Sequence, residues 1–384
     1  MQPFTLHIPT KIVFGKDVTT SLGVEAAQYG KKALLLYGGG SIKRNGVYEA
    51  VTASLRREGI GFVEYSGVRP NPVLSHAEEG VNLAQKEQID MVIAAGGGSV
   101  IDEGKAIALG CANPEPLWNF YDRSAAPHNA LPLIAVQTMP ATSSEMNMIS
   151  VLTNETTKQK YSCRSALQYP KVSFLDPSVT LSIPPEQTAY ACTDIMAHVM
   201  EGYFSCTDPW PVVQDGYAEG MMRAVKLSMD RLLDNFQDYD ARSAVMWAGA
   251  LAWNGTAAAG AKGAGVPNHM LEHPVSCLYD LTHGAGLSII LPAWLEYYKT
   301  TLSAKILQFG RRVFDMGDSS TPEQVIATLK TWYGKINTPV TFREAGIDNP
   351  DFAELTREAL ELCEVWGISG YSAKDIENIY RLAL

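Results

Sequence analysis

The sequence predicts an α/β domain over residues 1–182 followed by an all-α domain over 183–384. Three features carry that expectation. Short apolar runs closed by glycines alternate with amphipathic stretches as far as Asp176-Pro177. From Pro185 onward the chain is rich in Ala, Met, Leu and Glu, and its apolar residues recur with helical spacing. Between the two textures, Pro184-Pro185 interrupts the backbone.

Taken in order, the first half offers four strands. Ala33–Tyr37 is a continuous apolar run closed by Gly38-Gly39-Gly40, and Ile89–Ala95 is a second, closed by Gly96-Gly97-Gly98. Such runs suit strands buried on both faces of a parallel sheet. Gly61–Tyr65 and Leu133–Val136 supply two more, with helical patterns at Ser75–Glu87 and Ile101–Cys111, so a doubly wound sheet is expected. In the second half Asp215–Asn235 and Ala241–Trp253 read as long helices, and Gly255–Gly265 as packed turn or helix rather than a linker. There is no internal repeat.

Composition narrows the function. With 384 residues, 46% hydrophobic and 19% charged, the chain can bury a sizeable core, which excludes collagen-like, coiled-coil and disordered classes. Its formal net charge is −10 and it has no basic run. It therefore offers no electrostatic footprint for nucleic acid or for an anionic membrane, and small molecules are the expected partners. Cys111, Cys163, Cys192, Cys206, Cys277 and Cys363 are scattered without a CxxC pair, which fits reduced thiols rather than a disulfide framework or a zinc ribbon. The amino-terminal stretch has no basic-then-apolar leader, and no apolar run approaches a membrane span, so a cytoplasmic location is expected.

Two constellations carry chemistry. Gly96-Gly97-Gly98-Ser99 follows a strand and opens a helix, a place where backbone N–H groups can meet a pyrophosphate, although a glycine turn can also be merely tight. Gly38-Gly39-Gly40-Ser41 repeats the arrangement, and two such turns in one sheet favour a dinucleotide. A carboxylate after an early strand would hold the ribose of NAD; here there is none, and Lys43 and Arg44 follow, which favours NADPH unless the pair is a solvated helix face. The second constellation is histidine. Four of the seven, His198, His269, His273 and His283, fall in the helical half. Asp194 and His198 are four apart on one helix face, and so are His269 and His273; a carboxylate with two or three imidazoles suits Zn²⁺ or Fe²⁺ and not Ca²⁺. Spacing alone does not say which of His269 and His273 binds metal. Glu201, one turn beyond His198, is a candidate to support a ligand from behind. His7, His76 and His128 belong to no such group.

In order and spacing these pieces resemble the iron-containing (group III) alcohol dehydrogenases. The motifs are FTLHIPTKIVFG from Phe4, Val68-Arg69-Pro70-Asn71-Pro72, GGGSVIDEGK from Gly96, TMPATSSE from Thr138, LDPSVTLSIPP from Leu175, Asp194-Ile195-Met196-Ala197-His198 with Glu201, and His269-Met270-Leu271-Glu272-His273 ahead of Thr282-His283-Gly284. They span nearly the whole chain. Tyr37–Ser41, in place of the acidic residue of NAD-using members, is similar to the NADPH-dependent butanol dehydrogenase and aldehyde reductase branch.

The resemblance implies a doubly wound, Rossmann-like sheet domain and an all-α domain in the two-domain architecture of dehydroquinate synthase. It makes Asp194, His198, His269 and His283 the ligands of one divalent metal, Fe²⁺ or Zn²⁺, and leaves His273 beside nicotinamide and substrate as a catalytic proton relay. Gly96, Gly97, Gly98 and Ser99 would hold the pyrophosphate with Asp102 beside them, Gly38, Gly39, Gly40 and Ser41 would be the carboxylate-free cofactor-binding turn, and Thr138, Thr142, Asn147 and Lys160 would line the cofactor site. The common Thr-Gly-Ser-Glu is Thr142-Ser143-Ser144-Glu145 here, Thr282 replaces the usual Pro, and Glu272 stands where a small residue is more frequent. The implied activity is metal-dependent, reversible reduction of aldehydes to primary alcohols by NADPH, in a homo-oligomer with a dimer favoured. Its rivals are an NAD-dependent polyol dehydrogenase of the glycerol type, a non-catalytic metal- or nucleotide-binding relative, and a dehydroquinate synthase-like lyase. The lyase would need a basic cluster for a substrate phosphate, which the helical half lacks near its histidines.

Overall fold

Helices cover both faces of a parallel sheet in the α/β part of the protein, as continuous apolar strands require. The computed structural model describes all 384 residues. His7–Ile183 with Gln237–Asn254 form one compact unit, and Met1–Leu6, Pro184–Phe236 and Gly255–Leu384 form the other. In chain order the α/β unit contains β1 (Lys11–Phe14), α1 (Leu22–Ala26), β2 (Lys32–Tyr37), α2 (Ser41–Arg44), α3 (Val47–Arg57), β3 (Gly61–Ser66), α4 (Leu74–Lys86), β4 (Met91–Gly97), α5 (Gly98–Ala112), β5 (Leu133–Met139), β6 (Ile149–Asn154), β7 (Gln159–Arg164) and β8 (Val172–Leu175).

Six strands pair in the order β1-β8-β5-β4-β2-β3, every neighbour parallel. Leu35, Ile93 and Val136 point to one face and pack with Val51 and Leu55 of α3; Leu34, Val92 and Ala135 point to the other, with Ile101 and Ile107 of α5. This alternation explains why β2, β4 and β5 are apolar at almost every position. β2 has β3 on one side and β4 on the other, with Tyr37 opposite Ala95. The two glycine turns therefore leave adjacent strands at their carboxyl ends, where the strand order changes direction and open α/β sheets bind ligands. β1, β8 and the antiparallel β6–β7 hairpin were not anticipated from the sequence. β1 and β8 have only four residues each, too few for a periodic signal.

The remaining helices are α6 (Pro185–Ser205), α7 (Val212–Asp234), α8 (Tyr239–Ala252), α9 (Pro267–Tyr279), α10 (His283–Tyr298), α11 (Ser303–Phe314), α12 (Pro322–Lys335), α13 (Phe352–Trp366) and α14 (Ala373–Leu382). α10 is buried from Gly284 to Leu295, which its unbroken apolar stretch requires. The compact units divide the chain differently from a single boundary at 182/183. A single domain over 183–384 would include α8, but α8 packs in the α/β unit, its Met246 and Ala250 closing on Leu175 of β8. Met1–Leu6 likewise belongs with the helices, Gln2 N–H donating to Gly260 O at 2.7 Å. Ser143, where the common motif has Gly, sits at φ 53°. That conformation is strained for serine, and the side chain compensates by donating to Gly249 O (2.5 Å) and accepting from Trp253 N–H (2.7 Å), both in the α8 region. No helix is long and apolar enough to cross a membrane.

Candidate functional site

In the helical unit, α6 presents Asp194, His198 and Glu201 one turn apart, and all three are buried. α9 opens with Pro267, pre-set for a first helical turn, and carries His269, Glu272, His273 and Ser276. α9 ends at Asp280, held at φ 50°, and the chain re-enters a helix at His283, the first residue of α10. Those short links bring four residues that are scattered in sequence around one atom. Asp194 Oδ1 lies 3.0 Å from His198 Nδ1, 3.6 Å from His269 Nε2 and 3.8 Å from His283 Nε2.

On His269 and His283 the nitrogen opposite Asp194 is also engaged, whereas His198 uses the same nitrogen, Nδ1, toward both the side chain and the carbonyl of Asp194. His269 Nδ1 donates to Glu201 Oε1 at 2.8 Å, His283 Nδ1 donates to Glu272 Oε2, and His198 Nδ1 faces the Asp194 carbonyl oxygen at 2.9 Å. A carboxylate only accepts, so when His269 and His283 are neutral, as metal ligation requires, their tautomer is the one whose Nε2 carries a lone pair toward Asp194. Glu201 also takes the backbone N–H groups of Asn268 (3.2 Å) and His269 (2.8 Å), capping α9 from a neighbouring helix where its own N-cap, Val266, offers no side-chain acceptor. Burial alone would raise the Asp194 carboxyl, yet the surrounding imidazoles, His198 foremost, hold it well below the ordinary carboxylate range. Burial would lower His269, but Asp194 and Glu201 push it up to about 9.

These residues fit a divalent cation. Asp194 Oδ1 and His269 Nε2 are buried and lack a hydrogen-bond partner, an arrangement that costs about 1–3 kcal/mol per group when nothing else engages them. One carboxylate with three imidazoles is a donor set for Zn²⁺ or Fe²⁺, not for a hard oxygen-seeking ion. His273 stands at the edge of this cluster. Its ring lies 5.5 Å from that of His283 and edge-on to Trp366 at 4.9 Å, and it groups with Glu272 and His283 rather than with Asp194.

The nucleotide candidates all lie in the α/β unit. α5 starts at Gly98 with no side-chain cap, so the N-terminus of a 15-residue helix keeps its first N–H groups for an anion. A Cβ on Gly98 would come 2.8 Å from Thr142 Cγ2, so that position admits only glycine beside Thr142. At Gly39, by contrast, a Cβ would meet nothing within 4 Å, and Gly39 and Ser41 are exposed: open space at the end of β2 that a ligand can enter. Thr138 is the penultimate residue of β5, between Gln137 and Met139, which pair with Gly96 and Gly97. Other predicted residues direct their polar atoms to the protein. Asp102 accepts from Ser144 Oγ (2.5 Å) and Val151 N–H (2.9 Å). Asn147 accepts from Lys105 Nζ (3.0 Å) and Ile149 N–H (3.0 Å) and donates to Thr142 O (3.1 Å). Lys160 Nζ donates to Asn71 Oδ1 at 3.0 Å. Lys43 and Arg44 are both exposed beside the turn, and Lys43 is held by Glu64 (3.3 Å) and lies over the rings of Tyr37 and Tyr48. Sequence inspection missed Lys105, a fully buried lysine whose pKa burial lowers to about 8; its i+3 spacing from Asp102 was the available signal.

The comparisons with known proteins identify the family. The family model for iron-containing alcohol dehydrogenase matches residues 9–177, and that for the Fe-containing alcohol dehydrogenase C-terminal domain matches 188–384. NADH-dependent butanol dehydrogenase A of Clostridium acetobutylicum is 35% identical, over 99% of each chain. The NADPH-dependent aldehyde reductase YqhD of Escherichia coli is 33% identical, over 94% of each. The crystal structure of NADH-dependent butanol dehydrogenase A from Thermotoga maritima superposes with a TM-score of 0.96 at 39% identity, covering 100% of this chain and 99% of the other. The chain belongs to the iron-containing alcohol dehydrogenase family, oxidoreductases that work with a nicotinamide cofactor and a divalent metal.

Proposed function

We propose that this protein reduces aldehydes to primary alcohols, reversibly, with NADPH as hydride donor and with Fe²⁺ or Zn²⁺ held by Asp194, His198, His269 and His283. The observation that carries the proposal is the convergence of three imidazoles on Asp194 Oδ1, with His269 and His283 locked from behind by carboxylates. When bound, the metal supplies Lewis-acid polarisation of a carbonyl oxygen and the nicotinamide supplies hydride. The protein's own groups do the rest. Asp194 provides the anionic ligand, His198, His269 and His283 the neutral ones, and burial of Asp194, His198 and His269, with His283 partly exposed, limits competition from bulk water. His273, beside His283 but outside the Asp194 group, is placed to hand a proton to the product oxygen.

The preference for NADPH rests on the Gly38–Ser41 turn, which presents no carboxylate, and on Glu64, the acid beside it, whose oxygens take the hydroxyls of Tyr37 (2.6 Å) and Tyr48 (2.6 Å). The opposite preference has its own support, because the relatives from Clostridium and Thermotoga are named NADH-dependent. Initial rates with butanal and each cofactor, before and after chelation, test the proposal. The expected result is a higher kcat/KM with NADPH, loss of activity on chelation, and recovery with Fe²⁺ or Zn²⁺. A higher kcat/KM with NADH overturns the cofactor assignment, glycerol oxidation with NAD outpacing butanal reduction overturns the substrate class, and turnover that survives removal of all metal overturns the site.

A further inference from the structure

Glu272 is fully buried, and its two oxygens face two different helices. Oε2 accepts Nδ1–H of His283 at the start of α10, while Oε1 accepts the Ser276 hydroxyl one turn further along α9. Space for the side chain is made at Gly286, where a Cβ would come 2.8 Å from Glu272 Cγ. A serine to aim the carboxylate, a glycine to admit it and an imidazole to receive it thus meet at one buried charge. Burying a carboxylate is costly, and a hydrogen bond to neutral imidazole offsets only part of that cost unless positive charge lies on the far side of the ring. Here the far side of the His283 ring is Nε2, 3.8 Å from Asp194 Oδ1.

We infer that Glu272 is a positioning residue for the metal centre: it fixes the tautomer and ring orientation of His283 and raises the basicity of its Nε2, with Ser276 and Gly286 holding the carboxylate in place. Glu201 does the same for His269. The inference rests on the metal assignment proposed above. A carboxylate behind a ligating imidazole alters metal affinity about 10–100-fold.

The test uses the full-length protein, stripped of metal and titrated with Co²⁺ for its visible absorption and with Zn²⁺ in competition with a chelator. The parent should bind one equivalent of Co²⁺, and Asp194→Asn should abolish that binding; if the parent takes up none, the metal assignment itself fails. Glu272→Ala should weaken Zn²⁺ about 10–100-fold and shift the cobalt bands. Glu272→Gln, whose amide oxygen can still accept from Nδ1–H, should recover part of the loss. Ser276→Ala and Gly286→Ala, which respectively free and crowd the carboxylate, should weaken Zn²⁺ in the same direction, and they carry the test if Glu272→Ala does not fold. Zn²⁺ affinity within threefold of the parent in these variants, with unshifted cobalt bands while Asp194→Asn loses metal, overturns the inference and leaves Glu272 a packing residue.

Discussion

Exchanging Glu201 for glutamine keeps its shape and removes its charge, and the structure lets the cost be worked out. The carboxylate faces donors only: Oε1 takes His269 N–H and Nδ1–H, each at 2.8 Å, and Oε2 takes Asn268 N–H and Nδ2–H, each at 3.2 Å. A glutamine must aim its NH₂ at one pair. Aimed at Asn268 it is better tolerated, because Asn268 Oδ1 is buried without a partner and a flipped amide can present it. What is lost is the Asn268 backbone bond, about 1–3 kcal/mol for a buried unpaired N–H, together with the charge assistance of the two bonds to His269. Relief from burying a charge offsets some of this. The net expectation for Glu201→Gln is a loss of about 3 kcal/mol, or roughly 6–12 °C in the melting of the helical unit. The assay is urea and thermal unfolding of metal-free protein, so that metal linkage does not contribute. A loss below about 1 kcal/mol would refute the claim that Glu201 caps α9.

Three further outcomes are expected. His269→Ala should lose both metal and turnover, whereas His273→Ala should keep near-parental metal by elemental analysis while its turnover falls and its pH dependence changes; the reverse pattern would exchange their roles. Gly39→Asp introduces charge without a steric clash, so kcat/KM should fall far more with NADPH than with NADH, and equal losses would place the 2′-phosphate elsewhere. Burial pushes the Glu103 carboxyl up to about 7 despite its bond to His76 (2.6 Å). The folded protein therefore holds a proton that the unfolded chain releases near the ordinary value of 4.5, and the associated stability, present below that value, is lost as pH rises to about 7. Glu103→Gln should remove that component of the pH dependence of urea unfolding, and an unaltered slope would count against it.

What the sequence revealed follows physical range. β2 and β4 were legible because burial on two faces makes every position apolar, whereas β1 is a half-exposed edge strand of four residues with no such run. The helix at α8 was recognisable from its periodicity, but periodicity shows that a face is buried, not that Leu175 of the α/β sheet is what buries it. Asp194, His198 and Glu201 were visible as one stripe because helical spacing is local. The link between Glu272 and His283 was not, since it depends on how the chain turns at residues 280–282 between two helices. The glycine turns were legible as turns. Which polar side chains near them face inward, as those of Asp102 and Asn147 do, was decided by tertiary packing.

The exchange of segments between the two units makes neither of them a continuous stretch of chain. During synthesis the sheet is complete by Leu175, yet Met246 and Ala250, which cover that residue, emerge about 70 residues later, roughly 4–14 s at common elongation rates. Meanwhile Met1–Leu6, the first segment made, must wait for Gly260 before it can pair. A fragment cut at Ile183 would expose the apolar end of β8 and leave Ser143 strained with both of its α8 partners missing. Excising the α/β unit for separate study therefore calls for grafting residues 237–254 back onto it, and an amino-terminal tag would load the helical unit, not the sheet to which it is joined in sequence.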